Sequence, residues 1–221
     1  MGSEAMVMGD LVLTQQEVNP VMQKLEEDGL EITALHNHLL RAEPMTLFMH
    51  VSGQGDPAKL AAEIHDALVL SKTPLDADAP STPQTSSDAK IDFDTAGVDQ
   101  LLGYKGKANK GIYQFTIPRA QPVMESGMAV PAAMGSAIGI NFQPTGSGKA
   151  AITGDFVLIA SEVNPAIKAM RESGIEVTAL HNHMLDEQPR LFFMHFWANG
   201  DAQKLAKGLR KALDQVDVKK G

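Results

Sequence analysis

Cysteine is absent from the 221 residues of this chain. Its absence excludes disulfide bonds, thiolate nucleophiles and zinc sites built on cysteine. Basic residues are also few, with 19 Lys and Arg against 27 Asp and Glu and a net charge of -8. A nucleic-acid-binding protein needs a basic face to neutralise phosphates, so this charge argues against that class. No apolar run is long enough for a membrane span, and no basic-then-apolar signal sequence opens the chain, so we expect a soluble chain without a targeting signal.

A repeat dominates what the sequence does contain. Residues 9–68 align without a gap to residues 154–213, and 29 of the 60 aligned positions are identical. The identities concentrate in Thr33–His38 against Thr178–His183, and in Phe48–His50 against Phe193–His195. Six of the seven histidines therefore form two copies of one triad. A repeat of this length is typical of pseudo-symmetric architecture, and here it predicts a site that is present twice.

The repeated unit reads as strand, helix, strand, strand, helix. Alternating apolar residues predict the strands, and an apolar stripe that contains Leu60 and Ile64 predicts the last helix. This order predicts an α+β fold of two pseudo-equivalent lobes, each an antiparallel sheet covered by helices. The predicted features of the first copy are a strand at Val7–Leu13, a helix that begins at Asn19-Pro20 and ends before Gly29, strands at Leu30–Leu40 and Thr46–Ser52, and a helix capped by Asp56.

Composition divides the chain into three parts. Residues 71–90 are rich in Pro, Ser, Thr and Asp and read as a linker. Residues 1–70 then form the first lobe, and residues 91–221 form a second, more complete lobe that includes a predicted helix at Thr95–Leu102. The first lobe has no counterpart of the segment upstream of the second repeat, so we expect its upstream half to be missing. An uncovered sheet edge would follow, and it would be covered by the second lobe or by another chain, which makes a homodimer one of the expected arrangements.

The triad points to metal chemistry. Residues two apart in a strand share a face, so His36 and His38 should project together, and a hairpin turn near Glu43 or Pro44 should bring His50 opposite one of them. Neutral imidazole is the commonest metal ligand, and three protein histidines with an open position form catalytic zinc sites. Zinc is the first expectation, and copper, nickel and iron also suit imidazole ligands. The predicted ligand sets are His36, His38 and His50 in one lobe and His181, His183 and His195 in the other.

Two pairs of aligned carboxylates, one member in each copy, are candidates for a fourth ligand, for a residue that orients a ligand, or for a general base. They are Asp10, Asp155, Glu17 and Glu162. Glu17 also fits a capping box with Thr14 at a helix start, whereas Ile159 replaces that threonine in the second copy. The replacement leaves Glu162 without a capping role, which favours a functional one.

Three interpretations of the histidines stay open. The first is a metal-dependent site, for which hydrolysis by a metal-activated water is the most economical chemistry. The second is a non-enzymatic ligand-binding or interaction module, in which the histidines form a metal-free cluster that binds an unidentified small molecule, or buffer a metal ion. The third is a structural role, in which hydrogen bonds from the histidines hold the sheet together.

Several longer motifs extend over nearly the whole chain outside the linker. They are Met8–Leu13, Glu17–Pro20, Thr33–His38 and Phe48–His50 with their second copies, together with Leu102–Gly106 and Tyr113–Arg119. Together these motifs resemble the LppY/LpqO family, a bacterial family without an established reaction. The resemblance implies a protein of the bacterial envelope, often exported or lipid-anchored. Family members usually carry two full units behind an export signal, which this sequence does not show.

Overall fold

A computed structural model describes residues 4–75 and 90–221. The chain divides into two compact units, one of residues 1–82 with 182–185 and the other of residues 83–181 with 186–221. Each unit combines helices with antiparallel sheet, so the α+β class is confirmed. The predicted linker at 71–90 lies mostly outside the described residues, and the division into 1–70, 71–90 and 91–221 stays a prediction.

The first unit is a three-stranded antiparallel sheet with two helices. The elements are β1 (Ala5–Thr14), α1 (Gln15–Glu27), β2 (Glu31–His36), β3 (Thr46–Gly55) and α2 (Pro57–Leu68). The strands follow the order β1-β3-β2. The core lies where α1 and α2 meet the sheet, and it includes Val21 and Leu25 from α1 and Met49 and Val51 from β3, all at most 2% exposed.

The second unit has a six-stranded antiparallel sheet and a separate two-stranded ribbon. The elements are α3 (Thr95–Leu102), β4 (Lys107–Asn109), β5 (Ile112–Pro118), β6 (Met124–Glu125), β7 (Met128–Ala129), β8 (Ala137–Gly146), β9 (Lys149–Leu158), α4 (Ala160–Glu172), β10 (Glu176–His181), β11 (Phe192–Asp201) and α5 (Ala202–Leu213). The six strands follow the order β10-β11-β9-β8-β5-β4. The buried face of the sheet carries large side chains such as Phe142, Phe156 and Phe196, each fully buried. Among the helices of the described ranges, none is long and apolar enough to cross a bilayer.

The two aligned segments form the same succession of elements. β1, α1, β2, β3 and α2 correspond in order to β9, α4, β10, β11 and α5. In both, the last strand of the repeat lies between the other two. The order strand, helix, strand, strand, helix is therefore correct for both copies, while their origin by duplication stays an interpretation of the sequence.

The predicted start of the first helix is wrong. α1 begins at Gln15 and contains Pro20 within its second turn, as α4 contains Pro165. The backbone N–H of Thr14 donates to the Glu17 carboxylate over 2.7 Å, so the capping contact begins the helix five residues before the proline. The predicted ends and caps are correct, because Gly29 follows α1 with a φ of +89° and Asp56 accepts from two backbone N–H groups of α2.

Candidate metal sites

The central strand of the first unit places His50 between two neighbours. His50 lies directly opposite Asp10 in β1 and opposite Ala34 in β2, not opposite His36 or His38 as the sequence suggested. The register differs because the pairing of Ala34 with His50 and of His36 with Phe48 centres the hairpin on Ala42, not on Glu43 or Pro44. His50 remains a diagonal neighbour of His36, and their rings stack with centroids 4.9 Å apart.

His38 does not share a strand with His36, because β2 ends at His36. The loop nevertheless returns the His38 ring to the same region, 5.2 Å from the His36 ring and stacked on Phe48. The carboxylate of Asp10 lies 3.7 Å from His38 Nε2 and 3.9 Å from His50 Nε2. Burial raises the pKa of Asp10 to about 6. Asp10 is thus the carboxylate that accompanies the histidines of the first unit.

His36 and His50 form a close pair, with their Nε2 atoms 2.8 Å apart. The Nδ1–H of His36 donates to the carbonyl oxygen of Asn37 over 3.0 Å, since a carbonyl can only accept. A neutral His36 therefore presents a lone pair at Nε2, which accepts from His50 or binds an ion. Burial lowers the pKa of His36 and outweighs the opposing effect of the Asn37 carbonyl, so the neutral form is favoured.

His183 belongs to the first unit rather than to the unit that contains His181 and His195. Its ring stacks on His50 with centroids 3.9 Å apart. Ligand atoms of His36, His50 and His183 lie within 4.8 Å of one another. The structure therefore groups the histidines differently from the two equal triads that the sequence suggested.

The segment that carries His183 is held by hydrogen bonds within the first unit. The Thr33 hydroxyl donates to the carbonyl of His183, and the Asn182 amide donates to the carbonyl of Thr33 over 2.7 Å. The same Asn182 amide donates to Met184 over 3.0 Å. Thr33 and Asn182, both parts of the repeated motif, thus fix the backbone on either side of a candidate ligand.

In the second unit, Asp155 and His195 lie directly opposite each other in β9 and β11. His181 completes a set whose ligand atoms lie within 4.8 Å of one another, and its ring stacks on His195 at 4.8 Å. The Nδ1–H of His195 donates to the carbonyl of Gly154 over 2.9 Å. This hydrogen bond leaves the lone pair on Nε2, as in metal sites where a carbonyl orients the histidine.

Gly154 has a packing role beside this set. A side chain at Gly154 would collide with the backbone carbonyl of Gly139 on β8 and with the ring of Phe196. The close approach of β8 and β9 therefore requires glycine at this position. The same carbonyl of Gly154 that orients His195 is fixed by this packing.

The two glutamates proposed from the sequence are bound elsewhere. Glu17 accepts from the backbone N–H groups of Thr14 and Lys72, which lower its pKa. Glu162 is buried against Arg119, which donates to both carboxylate oxygens over 2.7 and 3.1 Å. Glu162 also accepts from Ile159 N over 2.8 Å, so the argument that it has no capping role is wrong. The backbone group that it caps needs no side chain at position 159.

Arg119 is a partner that the sequence argument did not name. Burial favours the neutral form of Glu162, but the hydrogen bonds from Arg119 and from the backbone of Asp217 and Ile159 outweigh it and lower the Glu162 pKa. Arg119 also donates to the carbonyl of Val157. Because 43 residues separate Arg119 from Glu162, no local pattern marks the pair.

Fold and site together define an α+β protein whose histidines and aspartates form groups that could hold a metal ion. The chain belongs to the family described as Domain of Unknown Function (DUF1259), whose model matches residues 1–70 and 96–215. A search of curated proteins finds no match. The family description names no reaction, so the function has to be argued from the groups themselves.

Proposed function

We propose that this protein binds a transition-metal ion, and that Asp155, His181 and His195 are the ligands in the second unit. The mutual approach of their ligand atoms within 4.8 Å is the observation that carries the proposal. The hydrogen bond from His195 Nδ1 to Gly154 supports it, because it fixes the orientation of a ring whose Nδ1 lies 3.9 Å from the Asp155 carboxylate. Two imidazoles and one carboxylate are a ligand set that zinc and ferrous iron both use with positions left open.

The first unit offers a second, all-imidazole set of His36, His50 and His183. We propose zinc as the first ion to test here, because three imidazoles with an open position suit zinc. His38 and Asp10 stand beside this set, with Asp10 3.9 Å from His50 Nε2. Glu17 and Glu162 belong to neither set, because each carboxylate already accepts hydrogen bonds at the start of a helix. Glu17 also accepts from the backbone of Lys72, and Glu162 from the side chain of Arg119.

The chemistry proposed for a bound ion is hydrolysis. A metal ion supplies an activated water molecule and polarises the bond to be cleaved. Asp10 lies beside the first set, where its carboxylate can accept a proton. Asp155 belongs to the second set, where its carboxylate supplies a negative charge to the ion. The resemblance to the LppY/LpqO family adds an envelope location to the proposal, while a homodimer stays a prediction that light scattering on the purified chain would test.

A metal-free histidine cluster is the second candidate, and one observation favours it. The Nε2 atoms of His36 and His50 are 2.8 Å apart, which is a hydrogen-bond distance that needs no ion. In this alternative the first unit binds its ligand through neutral imidazoles. Metal binding at His36 would displace the shared proton, so the two functions exclude each other at this pair.

Elemental analysis by mass spectrometry of the purified protein, before and after dialysis against a chelator, tests the proposal. We expect bound transition metal in the parent protein, less in His195→Ala and in His50→Ala, and least in the double variant. His65→Ala is the matched control, because His65 lies on α2 with its side chain 60% exposed and belongs to neither set. Parent protein that holds no metal and takes up no added zinc, iron, copper or nickel would refute the proposal.

Thermal unfolding separates metal binding from the metal-free alternative. An ion that binds only the folded chain stabilises it by about 2.7 kcal/mol when its concentration is a hundred times Kd. We therefore expect added zinc to raise the Tm of the parent and of His65→Ala, and to leave the Tm of the double histidine variant unchanged. Equal melting of all three proteins with and without zinc would favour the metal-free cluster.

A further inference from the structure

One row of residues crosses the second unit's sheet beside the proposed ion ligands. Thr116 in β5 pairs with Gly139 in β8, Gly139 pairs with Asp155 in β9, and Asp155 pairs with His195 in β11. Paired residues in neighbouring strands point to the same face. Gly139 is the member without a side chain, so the row has a gap between the Thr116 hydroxyl and the Asp155 carboxylate.

Nothing in the backbone or the packing explains the glycine at 139. Its φ lies outside the left-handed region, so a side chain would fit the backbone, and a Cβ built there would meet no atom within 4 Å. Gly154, its neighbour in the next strand, differs because a Cβ there would strike the Gly139 carbonyl. Glycine inside a strand weakens the strand, and it is typical of places where a ligand approaches the backbone closely.

The side-chain amide of Asn141 lies on the same face of the sheet as Gly139, in the next row of paired residues, and hydrogen bonds hold it in place. Asn109 donates to Gln114 over 2.8 Å, and Gln114 donates to the side-chain oxygen of Asn141 over 2.8 Å. Asn141 is two residues from Gly139 in β8, about 7 Å along the strand, and shares its face. Because the Asn141 oxygen accepts from Gln114, the amide nitrogen is the atom of Asn141 that can donate to a ligand.

We infer that the second unit binds a small carboxylate in the gap at Gly139, with one oxygen on the metal ion and a second acceptor oxygen at the Asn141 amide. The inference rests on the proposed function, because the ion held by Asp155, His181 and His195 provides the first contact. A divalent ion with one carboxylate ligand keeps a net positive charge, which attracts an anion. Thr116, Gln114 and Asn141 around the gap are uncharged and do not repel it.

Cobalt(II) and azide test the open position at Gly139. The protein is loaded with cobalt(II), its visible absorption is recorded, and azide is titrated as the anionic probe. The parent is expected to take up cobalt(II) and to change its spectrum with azide. Gly139→Leu is expected to take up cobalt(II) equally and to bind azide at least about tenfold more weakly, because leucine fills the gap.

Gly200→Leu is the matched control. Gly200 also lies in a strand, has no left-handed φ, and would meet no atom within 4 Å, but it is outside the row of Asp155 and His195. It should bind cobalt(II) and azide like the parent. Cobalt(II) uptake with equal azide affinity in the parent and in Gly139→Leu would overturn the inference and leave the proposed function intact. Failure of the parent to take up cobalt(II) would overturn both.

Succinate and acetate test the second contact, independently of how well Gly139→Leu folds. Succinate has a second carboxylate that can reach the amide, whereas acetate has none. We expect the cobalt(II) protein to bind succinate more tightly than acetate, and Asn141→Ala to lose about tenfold in succinate affinity with its azide affinity unchanged. Asn199→Ala, at the far end of β11, is the control. Equal succinate affinity in Asn141→Ala and the parent would overturn the role of the amide.

Discussion

The two copies of the repeat begin the same His-Asn-His sequence at the last residue of β2 and of β10, but different structures surround the two strands. In the first unit β1 pairs with β3 alone among the described strands, and Leu13 is its one buried residue. In the second unit β9 pairs with both β8 and β11, and six of its ten residues are buried. The repeated motif is therefore held by one neighbour in the first unit and by an extended sheet in the second.

The candidate ligand sets of the two units differ as well. The first unit groups three imidazoles, two of which already share a hydrogen bond. The second unit groups two imidazoles and a carboxylate, and Gly154 fixes the carbonyl that orients His195. Identical side chains thus support two different ligand sets, because the strand neighbours and the chain that returns to each motif differ. The second unit is the better organised of the two for an ion.

The aligned glutamates give the largest expected contrast in stability. Glu162 and Arg119 are buried together, so Glu162→Gln leaves the Arg119 charge without its partner and should cost about 3–5 kcal/mol in the free energy of unfolding. Glu17→Gln breaks no buried ion pair and weakens only one part-buried and one exposed contact to backbone N–H groups, so it should cost much less. Urea unfolding followed by circular dichroism measures both. Equal losses would show that the buried pair adds nothing beyond the helix cap.

Substitution of the aligned glycines Gly154 and Gly9 should give the second largest contrast in the free energy of unfolding. Gly154→Ala forces its new methyl group against the Gly139 carbonyl and the Phe196 ring, and overpacking of this kind costs about 1–3 kcal/mol. At Gly9 the new methyl group would meet only Val51 at 3.4 Å, an ordinary contact, so Gly9→Ala should stay within about 0.5 kcal/mol of the parent. Urea unfolding followed by circular dichroism measures both losses. Equal behaviour would mean that the first unit packs its strands as closely as the second.

Local signals predicted the elements correctly wherever one residue controls the backbone. Asp94 and Gly103 bound α3 at the predicted residues Thr95–Leu102, because a carboxylate caps the first turn and a left-handed glycine ends the helix. Proline was a weaker signal than the capping contact of Thr14 with Glu17, which is why α1 begins earlier than predicted. Signals of this kind act within four or five residues.

The candidate sites depend on longer distances in the chain, about which sequence patterns say less. Asp10 and Asp155, which the sequence offered as candidates, lie opposite His50 and His195, and their role as ligands stays a prediction. The register shift in β2 and the placement of His183 in the first unit arise from tertiary packing, to which a strand pattern is insensitive. The pairing of Glu162 with Arg119 was missed for the same reason.

The aligned aspartates should separate the two sites by metal affinity. Asp155 belongs to a ligand set, so Asp155→Asn should weaken zinc or cobalt(II) binding in the second unit by about a hundredfold. Asp10 lies 3.7–3.9 Å from two histidines and is outside the sets, so Asp10→Asn should weaken binding about tenfold at most. Metal titration by calorimetry compares them. A larger loss in Asp10→Asn would make Asp10 the ligand and reverse the ranking of the two units.

Acid should affect the two glutamates to different extents, and this is the smallest effect. The Glu162 pKa in the folded chain lies below its usual 4.5, so the contribution of Glu162 to stability is complete above that value and is lost as the pH falls through the folded pKa. Each unit of difference between folded and unfolded pKa corresponds to about 1.4 kcal/mol. The pKa of Glu17 is lowered too, but solvent screens this exposed carboxylate, so its contribution should be slight. Urea midpoints from about pH 7 to about pH 3 should fall less steeply in Glu162→Gln than in the parent, and Glu17→Gln should follow the parent. Parallel curves for all three would place the acid sensitivity of this fold in other carboxylates.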